Sequence, residues 1–366
     1  MQPPRLVFSR RVRTTPFTSR IQAGGMQMAT VYNHMVLPSN FRGLAEDYDH
    51  LCEHVQVWDV SVERQVALKG PDAAKLVQLM TPRNLSKAKA DQCFYVPLVD
   101  EFGMMINDPI AINVAPDHWW LSIADSDVML WAKGIAYAKG LNVEISEAQI
   151  WPVAIQGPKA EELLSRVLGD EVRDIRFFRY KRMAYQGREW IVARSGWSKQ
   201  GGFEVYVDDA AAGQAFWDEL FAKGEDLNVG HGCPNQVERM ESCLLSFGSD
   251  MDYHTSPLQI GLDKYCHIDE DIDSISLPAL RQQREEGLPW MLVGLRCDSG
   301  AQNFASTDVS HEGEVVGELR SQVWHHKFNC WLGFASLPTA LCQPGTKVEI
   351  EGAICEVHAL PFSFDG

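Results

Sequence analysis

The sequence predicts an α+β chain of more than one domain that ends in a small all-β unit. Three observations predict it. Helix-like and strand-like patterns alternate up to about residue 290. Only short strand patterns follow: WMLVGLRC, GEVVGELRS, NCWLGFAS, TKVEIEG and AICEVHAL. The length, 366 residues, exceeds the roughly 100–200 residues of one domain. A helix-to-linker stretch at 278–290 (PALRQQREEGLPW) marks the border, giving residues 1–280 and 281–366.

Taken in order, residues 64–70 (RQVALKG) alternate like a strand. Pro71 opens a helix carrying Ala74, Leu76, Val77 and Leu79, since proline is tolerated in a first turn. Residues 93–124 read as a strand meander with turns at DEFG and APD. Asp125 or Ser126 is expected to cap a helix that runs to Lys139 and stops at Gly140. Strands VEIS and PVAIQG follow, then a helix that Pro158 starts and Gly169 ends. EWIVARSG and FEVYVDD form a hairpin around the loop WSKQGG, which holds Trp197. In the second strand Phe203, Val205 and Val207 face one side, and Glu204 and Tyr206 the other. After a helix near 211–223, a helix from Pro234 is expected to run through Phe247. Its apolar stripe would be Val237, Met240, Leu244 and Phe247. Glu241 falls inside that stripe and must therefore find a partner or be neutral.

Composition narrows the function. Lys+Arg is 33 and Asp+Glu 49, a net charge of −16, so nucleic acid and anionic membrane repel the chain. No run reaches the ~18 apolar residues of a membrane span. Nine scattered cysteines, an odd number without CxxC spacing, argue against a disulfide framework or zinc site and for a reducing, cytoplasmic setting. Residues 1–45 carry six arginines (Arg5, Arg10, Arg11, Arg13, Arg20, Arg42) and no acid. Two readings stand: an organellar presequence, or a basic segment packed on an acidic body, which is preferred. There is no GxGxxG, GxxxxGK[ST], HExxH or GxSxG. The adjacent His325 and His326 lack metal-pair spacing, and no metal is expected. An enzyme here would use an organic cofactor without a common nucleotide motif, or plain acid–base chemistry.

Several segments carry a resemblance. ARSGWSKQGGFEVYV resembles the folate-binding hairpin of the aminomethyltransferase family, the T-protein of glycine cleavage and its relatives. NDPIAI resembles that family's Asp-containing strand, and QGPKA and VERMESCLLSFGSDMD its later blocks. RTTPFTSR, TVYNHMVLP, HVQVWDVSVERQ, LVQLMTPRNLSKAK, CFYVPLVDEFG, WWLSIADSDV, GCPNQVERMES and GELRS are similar to one branch of the family, the tetrahydrofolate-dependent demethylases of dimethylsulfoniopropionate. The resemblance spans nearly the whole chain. It implies three modules in a ring around a folate site, two in a discontinuous amino-terminal part and the third a carboxyl-terminal β-barrel. It also implies tetrahydrofolate as methyl acceptor, a small-molecule substrate and no macromolecular one, and it leaves a homodimer open.

The implied substrate already carries an activated methyl group, because its leaving group is a neutral thioether. Catalysis should then be mostly positioning, with nitrogen N5 held in line with the S–CH3 bond at roughly 3–3.5 Å. A sulfonium cannot donate a hydrogen bond, so an aromatic face suits it. Trp197 is the first candidate, and Tyr206 and Tyr32 are the next; the alternative for Trp197 is a loop residue covering the core. Glu204 matches the family's strand glutamate, which accepts the paired donors of the pterin edge. Asp108 matches the Asp near the reacting nitrogen, where it would stabilise developing positive charge or fix orientation. Tyr95 would line the same cavity as a cofactor-binding residue. Arg239 and Glu241 match the family's RxE and are expected to organise the ring of modules.

Two positions depart from the pattern: Gln259 stands where Glu is common after SPL, and Ser249 where Asn or Gln is frequent. A role in iron–sulfur assembly is disfavoured, because SFGSDMDYHTSP lacks the cysteine of KGCYxGQE. Fused sarcosine- and dimethylglycine-oxidising enzymes are disfavoured, because these 366 residues show no flavin-binding half.

Overall fold

The computed structural model describes residues 7–298 and 303–364. Its amino-terminal part is built from two sheets. The first runs, edge to edge, Tyr180–Tyr185, Arg188–Ala193, Gly202–Val207, Trp151–Gln156, Val55–Asp59 and Val229–Gly232. Neighbours are antiparallel except the last pair, which is parallel. The second runs Glu144–Ala148, Gln65–Lys69, His118–Ser122, Ile110–Ala115 and Cys93–Tyr95, all antiparallel. The whole second sheet thus lies, in sequence, between two strands of the first.

Alternation along strand Gly202–Val207 sets what each face does. Phe203, Val205 and Val207 enter a core with Phe216 and Trp217 of helix Ala210–Lys223. Tyr206, two residues from Glu204, packs the other way with Ile112, Val114 and Cys93 of the second sheet. Burying each large apolar side chain stabilises the fold by roughly 1.5–3 kcal/mol. The two sheets therefore meet across the face that carries Glu204.

Helix Val128–Lys139 stops at Gly140, whose φ of 63° closes a left-handed cap. Its expected N-cap is different. The capping position is Asp127, with no side-chain bond, while Asp125 and Ser126 are engaged elsewhere. Asp125 Oδ1 accepts from Asn33 N at 2.8 Å, and Ser126 Oγ accepts from Asn107 Nδ2 at 2.8 Å. The helix from Gln236 is also shorter than its apolar pattern implies. It ends at Ser242, where Cys243 turns left-handed with φ 53° and its N–H donates to the carbonyls of Arg239 and Met240. Leu244 and Phe247 follow the turn instead of extending the stripe.

Elements that the apolar pattern did not mark are helices Thr18–Ala23 and Leu44–Glu53 and the hairpin Met28–Tyr32 with Met35–Asn40. Strands Val55–Asp59, Tyr180–Tyr185, Val229–Gly232 and Asp308–His311 were not marked either. The chain ends in a closed barrel ordered Trp290–Cys297, Cys330–Pro338, Glu314–His325, Asp308–His311, Lys347–Ile350 and Ala353–His358. Closure removes the exposed sheet edges that would otherwise recruit other chains. Of the amino-terminal arginines, Arg13 pairs with Glu147, Arg20 with Asp218 and Arg42 with Asp47. Arg5 lies outside the described residues. No disulfide joins any of the nine cysteines, all of which lie among the described residues. No helix among the described residues is long and apolar enough to cross a membrane.

Candidate active site

A cavity of about 430 Å³ opens between the two sheets. Hairpin residues 30–39 and the segment 234–249 form its other walls. The hairpin is held there by its own turn. Asn33 and His34 both have positive φ (47° and 64°), the backbone of a two-residue turn that matches strand twist. Asn33 Nδ2 donates to the carbonyls of Val62 (3.0 Å) and Ala124 (3.1 Å), which lie beside the cavity.

Four carboxylates line this cavity, Glu63, Asp108, Asp125 and Glu204; Asp125 is engaged by the backbone N–H of Asn33, and the other three are held by side-chain hydroxyls. Glu204, 5% exposed, accepts on Oε2 from Ser195 Oγ (2.6 Å) and Tyr206 Oη (3.1 Å). Asp108 accepts on Oδ2 from Tyr95 Oη at 3.0 Å, and its Oδ1 is buried without a partner. Glu63 accepts on Oε2 from Ser122 Oγ at 3.1 Å. Each of these three acids thus has one oxygen held by hydroxyls and a second without a protein donor. Burial pushes the Asp108 carboxyl up to about 7, against the pull of the Tyr95 hydrogen bond. Burial also raises Glu204, and it raises Glu63 well above its ordinary range, helped by the charge of Glu204. No cation acts on any of the three. Two uncompensated carboxylates in one site cannot both ionise cheaply. Burial and nearby acids push the hydroxyls of Tyr95, Tyr32 and Tyr206 upward, so they stay donors.

The aromatic residues divide. Trp197 and Tyr32 line the cavity, as does Tyr95, which packs on Tyr265 with ring centroids 4.9 Å apart. Tyr206 does not line it, contrary to the expected substrate contact. It is 1% exposed, lies 6.1 Å from Trp120 between the sheets, and reaches the site only through its bond to Glu204. Two residues along a strand share a face but not a depth, and Tyr206 is the deeper of the two.

The Trp197 loop is braced at both ends. Gly196 has φ 143°, and a Cβ there would collide with the Gln156 side chain. Ser198 Oγ donates to Gln156 Oε1 (3.0 Å), and Lys199 N and Gln200 Nε2 donate to the two oxygens of Glu238 (2.7 and 3.0 Å). Glu238 is held at the start of its helix, where Asn235 Oδ1 caps the N–H groups of Val237 and Glu238.

Arg239 lines the cavity, yet its donors are engaged. Nη1 binds Asp250 Oδ2 (2.7 Å), Nη2 binds Ser321 Oγ of the barrel (2.7 Å) and Nε binds Gln236 Oε1 (2.7 Å). Glu241 finds its partners in Tyr48 and His325, again bridging helix Leu44–Glu53 to the barrel. Burial raises its carboxyl, but those hydrogen bonds bring it below the ordinary value overall. Gln259 does not line the cavity; its Oε1 accepts from Ser256 N (2.8 Å) in a capping box, whereas Ser249 does line it. Among the described residues no His, Cys, Asp and Glu cluster is arranged to hold a metal ion.

Glu63 and Glu238 are the site residues that sequence reasoning missed. Glu238 had a signal in the Asn-x-x-Glu start of its helix. Glu63 had none beyond its place in WDVSVERQ, since a turn glutamate reads as solvated.

Sequence comparison places this architecture. Residues 17–270 match the GCVT N-terminal domain and residues 291–362 the glycine cleavage T-protein C-terminal barrel domain. The chain belongs to the glycine cleavage T-protein family. Within it, the chain is 47% identical over 346 residues to dimethylsulfoniopropionate demethylase DmdA of Ruegeria pomeroyi, covering 94% of each. It is 28% identical to an aminomethyltransferase of Clostridium botulinum, over 88% of this chain and 89% of that one. The crystal structure of glycine cleavage system aminomethyltransferase T from Bartonella henselae shares the fold, with a TM-score of 0.86 at 21% identity. That match covers 96% of this chain and 98% of the other.

Proposed function

We propose that this chain transfers a methyl group from the sulfonium of dimethylsulfoniopropionate to N5 of tetrahydrofolate. The products are methylmercaptopropionate and 5-methyltetrahydrofolate. The S–CH3 bond breaks with its electron pair left on sulfur, an N–CH3 bond forms, and the proton of N5 is released. The observation that carries the reading is a cavity with three acids that no cation pairs, its one arginine being bound to Asp250, in a chain 47% identical to a demethylase of that name.

The residues fit both ligands. Glu204 Oε1 and Asp108 Oδ1 lack protein donors, as a site for an N–H-rich ring requires. Tetrahydrofolate supplies, when bound, the nucleophilic nitrogen. Glu204 accepts the paired donors of the pterin edge, and Ser195 and Tyr206 hold its other oxygen. Asp108, oriented by Tyr95, stabilises the charge that develops at the reacting nitrogen and takes up its proton. Trp197 and Tyr32 offer faces to the sulfonium, worth ~0.5–2 kcal/mol or more where water is excluded. The acids add a field that favours a cation over a neutral thioether, so the product has less hold than the substrate.

The test mixes purified protein and tetrahydrofolate with dimethylsulfoniopropionate, glycine betaine or dimethylglycine, and follows 5-methyltetrahydrofolate by mass spectrometry. Methylation of folate by the sulfonium compound is expected. Its absence, or a preference for an ammonium donor, overturns the reading.

A further inference from the structure

Glu63 is left over when the residues above have been given their tasks. It follows strand Val55–Asp59, at the turn where the chain crosses from the first sheet to the second. Its backbone is fixed, because Glu63 N donates to Val60 O at 2.9 Å. Its side chain lines the same cavity as Glu204 and Asp108. The one hydrogen bond it receives there is the neutral one from Ser122 Oγ. Its neighbour Arg64 is turned away and pairs with Glu147 at 2.7 Å. The groups whose charges reach the Glu63 side chain are Glu204 and Asp108, and Glu63 acts in turn on the hydroxyls of Tyr32 and Tyr206. All of these are acids, so nothing in the protein compensates this charge.

Glu63 is half-buried, and an uncompensated carboxylate with a free oxygen facing such a cavity is costly to keep unless a ligand completes it. A carboxylate offers about four acceptor positions, and Ser122 fills one of Glu63's. A sulfonium has no hydrogen to give, whereas a reduced pteridine carries several N–H groups. We infer that Glu63 is a second pteridine-binding carboxylate, a positioning residue that works with Glu204 to make this end of the cavity select a multi-donor ring. This rests on the folate reading above. Any proton held among these acids leaves when N–H donors arrive, because donors favour the ionised form.

Calorimetric titration of tetrahydrofolate into the full chain tests this, at pH 7 in two buffers of unlike ionisation heat. The wild type is expected to show buffer-dependent heat, the mark of proton release. Glu63→Gln is expected to weaken folate by about tenfold or more, as loss of a charge-assisted bond does. The same change should remove the buffer dependence and leave the melting temperature equal or higher. Ser122→Ala, which leaves the carboxylate in place, should keep folate affinity within about threefold. Wild-type affinity in Glu63→Gln, with Glu204→Gln impaired, overturns this inference alone. Wild-type affinity in both variants overturns the folate reading too.

Discussion

Two groups of acids, one at the junction with the barrel and one in the cavity, are treated in opposite ways. At the junction with the barrel every acid has a cationic or imidazole partner. Asp250, wholly buried, holds Arg239, Glu241 holds His325, and Asp49 holds His326 and Lys327. In the cavity, Glu63, Asp108 and Glu204 have hydroxyl donors and no cation. Burial alone does not separate the groups. Completeness does: at the junction the protein supplies a counter-charge and the acids fasten modules together, whereas each of the three cavity acids keeps one oxygen without a protein donor.

The contrast can be broken most forcefully at the junction. Asp250→Asn leaves Arg239 charged, buried and unpaired, and should lower unfolding free energy by about 3–5 kcal/mol. Denaturant titration reads it, and a loss below 1 kcal/mol would mean the junction does not hold the modules together. In the cavity, Asp108→Asn should leave stability nearly unchanged but cut kcat by about 10²–10³, with a smaller change in KM, since its task lies in the transition state. A raised KM at normal kcat would reassign Asp108 to binding.

The pH dependence sharpens the same point. With its folded value near 7, well above that of the unfolded chain, Asp108 binds a proton more tightly in the fold. Its contribution to stability therefore falls as pH rises from about 4 to about 7. Activity that needs the ionised form should rise over the upper part of that window. The kcat/KM profile is expected to show a limb near pH 7 that Asp108→Asn flattens. Glu204→Gln should weaken folate binding by more than tenfold in calorimetry, the effect of losing charge-assisted bonds worth ~1.5–3 kcal/mol. The smallest effect is expected at Trp197→Ala, a rise in substrate KM of about 2- to 30-fold with folate affinity retained. An unchanged KM would remove the indole from the sulfonium site.

How much of this could be read from the sequence follows from where the information lies. Periodicity carried the strands of the second sheet, three strands of the first (Trp151–Gln156, Arg188–Ala193 and Gly202–Val207), the Gly140 stop and the opposed faces of Phe203 and Glu204, because each is decided by nearest neighbours. It overran the helix at Ser242 because the apolar stripe continues through Leu244 and Phe247, although the backbone has already turned. It did not mark the Met28–Asn40 hairpin. That turn is Asn33-His34 and not the Asn-Gly that signals such turns, and its stability comes from carbonyls of residues 62 and 124. Asp108, Glu204, Trp197, Tyr95 and Tyr32 were named through motif resemblance, and all five line one cavity. Tyr206 was named with them, yet strand alternation gives a face and not a depth. Glu63 went unnoticed because its meaning depends on Glu204, which lies far along the chain.

The insertion of the second sheet between strands of the first has a consequence for assembly. Pairing Val55–Asp59 with Trp151–Gln156 closes a loop that contains the whole second sheet, at a cost in chain entropy. Such distant pairing is slow to nucleate and favours all-or-none completion. Neither sheet is a separable cassette, and a truncation inside the insertion would orphan the central pairing of its neighbour. The cavity between the sheets therefore exists only when both are in place, and a ligand can grip only a finished molecule.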